Sequence, residues 1–447
     1  MKNVRRRIGT ASLVAALFAA TACGGSDDAT STTSATDDLA RTSGTSPSSE
    51  PDESDESDES DGSDESDGSD ESDGSDESTC LTDEVANADE AAQLDATVAA
   101  LYDELDLGSV VYRITRSDEL VATGAIGDSM VGSPADATMH FRTGNVAFGY
   151  MGTLLLLLVE DGLAELDDPI STWLPELDVP NADEVTLEML VRSTSGYPDY
   201  VPTTEFGDRF DADPFRDFPP EELLTLAFES DPYYEPGTAW NYSHTNYVIL
   251  GEALESIGGD ELGNLLQERI IDPIGLPATA TASTPALPQP VFHTYSSERE
   301  VFEETTFWNP SWQTAPGGIV TSNVCDLVVS AAAIGTGALL SGESYELFVG
   351  DDVVHLDPPP DTCPEGACRE LTADTFYGLG VLMFSDWVAQ APLFGGAGGV
   401  NASFPDDDLA VAIQTVAGPD TDSDVNHAMA IWAAIAEQLT PDNVPGR

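Results

Sequence analysis

The chain has 447 residues, with 82 Asp and Glu against 15 Lys and Arg and a formal net charge of −67. This balance excludes a protein that binds nucleic acid or an anionic membrane through charge, because phosphate groups are bound by an excess of Lys and Arg. Apolar residues make up 41% of the chain, which is enough for a folded core.

Residues 1–22 are predicted to be a signal peptide. Lys2 and three arginines precede an apolar stretch that is too short to span a membrane, and Ala20-Thr21-Ala22-Cys23 follows. The small residues on both sides of Cys23 resemble a bacterial lipoprotein cleavage site. We therefore expect lipid attachment at Cys23 and a location on the outer face of the cell membrane. If Cys23 is not lipidated, the expectation is a secreted protein.

Residues 23–79 are predicted to be a disordered acidic tether. Repeats such as SDESDGSDES contain no apolar side chain, so they cannot bury enough surface to offset the loss of chain entropy. The acidity continues beyond the tether, because residues 80–447 contain 62 Asp and Glu against 10 Arg. Lys2 is the only lysine of the chain. A folded region that is rich in acids and free of lysine favours an origin in a saline habitat.

Residues 80–447 are predicted to form one domain that contains both helices and strands. The hydrophobic periodicity predicts helices over 83–105, 145–162 and 424–439, and strands over 109–115, 119–125, 376–385, 390–395 and 408–417. Strands at both chain ends predict an α/β (α+β) fold whose antiparallel sheet is built from both ends and flanked by helices. The sheet lobe would comprise about 80–140 and 370–447, and a mostly helical lobe, about 141–369, would be inserted between them.

Four cysteines remain outside the signal region, and an exported chain with four cysteines suggests two disulfides. Cys363 and Cys368 enclose a short turn and are the favoured pair, which leaves Cys80 for Cys325. None of the four has the spacing to histidine that a metal site needs. We therefore expect no metal and no cofactor.

Six segments occur in order between about residue 85 and residue 440. They are FRTGNV (141–146), LAELDDPI (163–170), TSGYPDY (194–200), PGTAWNYSHTNY (236–247), DPIGL (272–276) and APGGI (315–319). Together they resemble the serine beta-lactamase and penicillin-binding-protein-like family, in the branch of class C beta-lactamases, D-amino-acid peptidases and related esterases. The resemblance implies the beta-lactamase/transpeptidase-like fold.

The resemblance also implies where the catalytic groups would lie. In this family a serine begins a helix, and a lysine one turn later takes its proton so that the serine oxygen can attack a carbonyl. This chain has Asn145 at the serine position and Phe148 at the lysine position. It retains the tyrosine of the second motif as Tyr242 and has His244 in place of an asparagine.

The third family motif is a Lys or His, then any residue, then Gly, and its cation lies beside the substrate. Phe394-Gly395-Gly396 places Phe394 at the cation and retains Gly396. The backbone N–H groups of Asn145 and Ala397 would be the two donors that hold the oxyanion. Phe148 and Phe394 would flank the former nucleophile, so we expect their ring centroids within about 7 Å of each other.

These replacements predict a pseudoenzyme with no catalytic residues, because neither an amide nor a phenyl ring can act as nucleophile or base. We expect an exported, lipid-anchored protein that binds or scaffolds at the cell envelope. Its partner would be a peptidoglycan stem peptide or an envelope protein, and its only membrane contact would be the lipid. The alternative is an active D-amino-acid peptidase, beta-lactamase or esterase with a non-standard nucleophile. His244 could act as a base in such an enzyme, whereas the favoured interpretation is a polar residue that is hydrogen-bonded at the pocket rim.

Overall fold

The computed structural model describes Cys80 and residues 83–446. The predicted signal peptide, the lipid site at Cys23 and the predicted tether lie outside the described residues. The helices of the described part are α1 (Ala88–Glu104), α2 (Val146–Glu160), α3 (Ile170–Trp173), α4 (Leu187–Val191), α5 (Thr204–Ala212), α6 (Pro220–Ala227), α7 (His244–Gly258), α8 (Leu262–Leu266), α9 (Asp272–Ile274), α10 (Val324–Gly335), α11 (Gly342–Phe348) and α12 (Ala428–Leu439).

The strands of the described part come in three groups, between α1 and α2, between α9 and α10, and between α11 and α12. They are β1 (Leu107–Arg116), β2 (Glu119–Met130), β3 (Ser133–Pro134), β4 (Phe141–Arg142), β5 (Ala280–Ala282), β6 (Tyr295–Ser296), β7 (Glu303–Glu304), β8 (Ile319–Ser322), β9 (Thr375–Tyr377), β10 (Leu382–Phe384), β11 (Trp387–Gln390), β12 (Leu393–Phe394), β13 (Ala397–Phe404) and β14 (Leu409–Ala417).

One nine-stranded sheet joins the two ends of the domain. Its order is β3-β2-β1-β14-β13-β11-β10-β9, with β12 paired to β13. Strand β1 pairs with β14 in an antiparallel register that runs from Leu107 opposite Ala417 to Arg116 opposite Leu409. The predicted antiparallel sheet that is built from both chain ends is therefore confirmed.

The hairpin between β1 and β2 shows how local sequence sets this sheet. Ser117 and Asp118 form its two-residue turn with φ values of 49° and 64°. Positive φ at both central residues gives a turn whose twist matches that of the paired strands, and a short polar residue such as Asp accepts it at low cost. The hairpin thus joins the strands predicted over 109–115 and 119–125.

Helix α2 lies in the core and positions the candidate site at its first turn. Twelve of its fifteen residues are buried, so the helix is apolar around most of its circumference. Such a helix is typical of the centre of a large domain. The close packing is visible at Gly152, where an added Cβ would overlap the backbone carbonyl of Leu379.

Both predicted disulfides are present, Cys80 to Cys325 and Cys363 to Cys368. Cys80 is thereby fastened to the first turn of α10, 245 residues later in the chain. Within the described residues no helix is long and apolar enough to cross a membrane. The same residues contain no group of three His, Cys, Asp or Glu side chains placed to hold a metal ion.

Candidate functional site

Asn145 precedes α2 and does not cap the helix with its side chain. Its Nδ2 donates to the Tyr242 hydroxyl at 3.5 Å, a long hydrogen bond. Its Oδ1 is buried and has no hydrogen-bond partner among the described residues. An amide at this position therefore contributes one weak hydrogen bond and one unsatisfied acceptor, and no group that can attack a carbonyl.

Phe148 lies one turn into α2 and is 2% exposed. Its ring stacks on Tyr247 with a centroid distance of 3.6 Å and an interplanar angle of 2°. The rings of Tyr242 and His244 each lie 6.1 Å from it. The place at which the family carries a lysine is thus part of a cluster of aromatic rings.

Tyr242 lies just before α7 and is half-buried. Burial raises the pKa of its hydroxyl well above the ordinary value for tyrosine, and the neighbouring Tyr377 raises it further. A tyrosine acts as a base only as the phenolate, and this environment disfavours the phenolate at neutral pH. Its hydroxyl accepts the hydrogen bond from Asn145 Nδ2.

His244 begins α7 and is paired with a carboxylate that the sequence analysis did not assign. Its Nδ1 lies 3.1 Å and 3.2 Å from the two carboxylate oxygens of Asp199, and both side chains are 9% exposed. Because a carboxylate only accepts hydrogen bonds, Nδ1 is the nitrogen that carries the proton. The rings of Tyr242 and Trp312 lie 5.3 Å and 5.6 Å from the imidazole.

These side chains line one small cavity of about 70 Å³. Six aromatic residues line it, Phe141, Phe148, Tyr242, Phe292, Trp312 and Phe394. Typical ligand pockets enclose about 300–1,000 Å³, so the space that remains admits only a few heavy atoms. Asn145, His244, Gln313 and Gln414 add polar atoms, and Arg142 is the charged residue of the lining.

Phe394, the last residue of β12, lines the cavity. Its ring packs on Trp312, Trp308 and Phe210, with centroid distances of 5.3 Å, 6.1 Å and 6.2 Å. In the described part of the chain no direct ring contact joins Phe148 and Phe394, and their expected centroid distance within about 7 Å stays a prediction. His244 and Trp312 connect them, because Phe148 contacts His244 and Trp312 contacts Phe394. Both phenylalanines line the same cavity.

Gly396 and Ala397 follow each other in the chain after Phe394, but they have different surroundings. Ala397 lines the cavity together with Asn145. Gly396 instead donates its N–H to the Glu298 carboxylate at 3.1 Å and packs against the backbone of Tyr295. The structure therefore brings Ala397 to the cavity with the other assigned positions and places Gly396 beside β6.

Pro392 is a lining residue that the sequence analysis missed. A Cβ added to Gly144 would lie 2.7 Å from the Cβ of Pro392, so the proline ring packs directly against the residue before Asn145. The Pro392 carbonyl accepts the N–H of Gly399 at 2.8 Å, which fixes the segment between β11 and β12. A proline cannot donate a backbone hydrogen bond, so this segment offers no oxyanion donor at residue 392.

A protein-family model described as beta-lactamase matches residues 94–436. Penicillin-binding protein 4* of Bacillus subtilis is 25% identical over 38% of this chain and 37% of its own length. Esterase EstB of Burkholderia gladioli is 29% identical over 41% of this chain and 50% of its own length. The chain thus spans between about a third and a half of the length of these curated relatives.

Solved structures agree with this match at the level of the fold. A D-stereospecific amidohydrolase from Streptomyces sp. is similar with a TM-score of 0.63 and 23% identity. The similarity covers 77% of this chain and 99% of that one. The predicted fold is therefore confirmed.

Proposed function

This chain belongs to the beta-lactamase family, and we propose that it is a member without acyl-transfer activity, exported and lipid-anchored, that binds or scaffolds at the cell envelope. The observation that carries the proposal is the pair of replacements at the start of α2. Asn145 lacks a nucleophilic oxygen, and Phe148 is stacked on Tyr247 where a proton acceptor is needed.

The remaining groups do not restore the lost chemistry. Beyond Lys2 the chain has no lysine that could act as a base. The raised pKa of Tyr242 keeps its hydroxyl neutral. When the nucleophile of such a unit is removed, oxyanion donors and binding alone leave only about 10³–10⁴-fold acceleration over water.

What the cavity can still do is bind a small group. The buried Oδ1 of Asn145 lacks a partner, and an unsatisfied buried acceptor costs about 1–3 kcal/mol, which a ligand N–H would recover. The aromatic wall suits a methyl group. The end of a peptidoglycan stem peptide offers both an N–H and a methyl, so we infer that its terminal residue is the part that enters.

The test of lost catalysis uses a fluorescent penicillin and a chromogenic ester on the purified chain. We expect neither a covalent adduct nor turnover, while a penicillin-binding protein in the same assay is labelled. Labelling that disappears in Tyr242→Phe or His244→Ala would overturn the proposal.

The binding role is tested by calorimetry with a D-Ala-D-Ala peptide. We expect heat of binding that is lost in Asn145→Leu, which removes the free acceptor, and retained in Leu163→Ala, which truncates an exposed side chain outside the cavity lining. Absence of heat with the unaltered chain would leave a purely scaffolding role.

For the anchor, Cys23→Ser is expected to move the protein from the membrane fraction to the medium.

One observation favours a second candidate, a hydrolase that activates water. Asp199 holds Nδ1 of His244, which leaves Nε2 as the ring nitrogen that can accept a proton in the cavity. This arrangement would serve a general base that acts on a water molecule next to a bound ester. Ester turnover that is abolished in both His244→Ala and Asp199→Ala would support it, and a rate equal to that of heat-inactivated protein would reject it.

A further inference from the structure

The exposed phenylalanines of the described residues all lie in two segments, the loop after α5 and the β6–β7 region. Phe215, Phe302 and Phe307, together with Val301, are between 40% and 64% exposed. Phenylalanine is normally among the most buried residues. Large apolar side chains that are exposed next to one another mark an interaction site more often than those that are exposed singly. We name these four residues the phenylalanine surface.

Backbone contacts bring the two segments together. The N–H of Asn309, two residues after Phe307, donates to the carbonyl of Pro214, directly before Phe215, at 2.7 Å. Phe302 stacks on Tyr295 of β6, with ring centroids 5.6 Å apart. Thr294 and Thr306 of the same hairpin line the cavity, so the surface begins at the edge of the candidate site.

Acidic side chains lie close in sequence to the phenylalanine surface. Asp208 in α5, Asp213 and Asp217 in the loop after it, and Glu300 between β6 and β7 are exposed. The three arginines of these segments are already engaged by carboxylates: Arg209 and Arg216 by Glu222, and Arg299 by Glu303. The surface therefore combines apolar contact area with an excess of negative charge.

We propose that the phenylalanine surface docks a segment of a partner protein in which apolar side chains alternate with lysine or arginine. The apolar side chains would cover the phenylalanines, and the cations would pair with the surrounding carboxylates. A second copy of the chain does not fit, because it would bring a formal charge of −67 against the same charge. This inference does not depend on whether the cavity is catalytic or binds a ligand.

The experiment measures binding of the full chain to a fluorescent peptide that alternates leucine and lysine, by anisotropy at one fixed salt concentration. Two comparison peptides replace every leucine by serine or every lysine by glutamate. We expect the leucine–lysine peptide to bind most tightly. Phe302→Ser with Phe307→Ser should weaken its Kd by at least about tenfold, because apolar anchors dominate such interfaces.

The matched control is Leu163→Ser with Val329→Ser, which removes two exposed apolar side chains from other elements and should leave Kd within about twofold. Equal Kd values for the two double variants would overturn the proposal, as would equal binding of the serine–lysine peptide. Two further results would also overturn it. One is binding to phosphatidylcholine vesicles through the same phenylalanines; the other is a dimer in sedimentation that the phenylalanine variant dissociates.

Discussion

Asn145 and Phe148 are best understood as a pair of replacements. A lysine at 148 would place an ammonium group within a cluster of Tyr242, Tyr247 and His244 rings, whereas phenylalanine stacks on Tyr247. A stacked aromatic pair contributes about 0.5–1.5 kcal/mol beyond the area that it buries. The ring of Phe148 is therefore part of the packing that stabilises the start of α2.

Phe148→Ala is expected to lower the free energy of unfolding by about 3–5 kcal/mol, because it removes a fully buried ring and leaves a cavity. Urea unfolding at fixed salt measures the loss. Phe215→Ala makes the same chemical change at an exposed position and should stay within about 0.5 kcal/mol of the unaltered chain. A loss below about 1 kcal/mol for Phe148→Ala would mean that the ring does not fill the core.

Asp326 gives a prediction for pH dependence. It is 7% exposed, and burial raises the pKa of its carboxyl although Ala278 N–H and the Thr279 hydroxyl both donate to it. A raised pKa in the folded state means that the folded protein binds this proton more tightly than the unfolded chain does. Its contribution to the free energy of unfolding therefore falls as pH rises from about 4, the ordinary pKa, through the folded-state pKa.

Asp326→Asn removes this titration, so the stability of the variant relative to the unaltered chain should improve as pH rises through that window. Urea midpoints at a series of pH values test it. Asp386→Asn, which removes an exposed carboxylate, measures the part of the effect that comes from net charge alone. A difference between Asp326→Asn and the unaltered chain that is constant with pH would contradict the prediction.

At the scale of elements, α2 packs directly against the backbone of Leu379 at Gly152. Gly152→Ala forces a Cβ into the Leu379 carbonyl, and backbone on both sides has to move, so a loss of about 1–3 kcal/mol or more is expected. Gly342→Ala is the matched control, since nothing lies within 4 Å of its added Cβ. It should be neutral or stabilise the protein by about 0.4–1 kcal/mol. Equal effects in urea unfolding would show that α2 can shift away from Leu379.

Periodicity in the sequence predicted several long elements and failed where glycines interrupt the pattern. The helices predicted at 83–105 and 145–162 correspond to Ala88–Glu104 and Val146–Glu160. The predicted strand at 376–385 is two strands, because Gly380, with φ of 85°, turns the chain against the Phe148 carbonyl. Strand β13 was missed, since Gly398 and Gly399 interrupt the alternation that marks a strand. No local pattern encodes such close approaches of backbone.

The residues of the candidate site that belong to short sequence motifs could be predicted. The residues that reach the site only through long-range packing could not. Asn145, Phe148, Tyr242 and His244 were assigned from short segments and do line one cavity. The partner of His244 is Asp199, 45 residues earlier, and Trp312 and Pro392 come from segments farther still. Asp199 lies in the matching segment TSGYPDY, which is the signal that could have identified it. Contacts over such separations depend on the whole fold.

At the scale of the whole molecule, charge sets the conditions under which the fold is stable. Residues 80–447 contain 62 acidic residues against 10 arginines, so most carboxylates have no cation to pair with. Mutual repulsion of this kind destabilises the compact state. Salt weakens it, because the Debye length falls from about 10 Å at 0.1 M to about 3 Å at 1 M.

The urea midpoint is therefore expected to rise steadily as KCl is increased from about 0.1 M to about 1 M, with circular dichroism as the measurement. Sucrose in place of KCl controls for exclusion of the solute from the surface, since sucrose stabilises without screening charge. Changing the exposed Asp208, Asp213 and Asp217 to asparagine should reduce the gain from KCl, because fewer repulsions remain to be screened. A midpoint that does not respond to KCl would mean that repulsion between carboxylates is too weak to limit stability. The inference of a saline habitat from the composition would then fail with it.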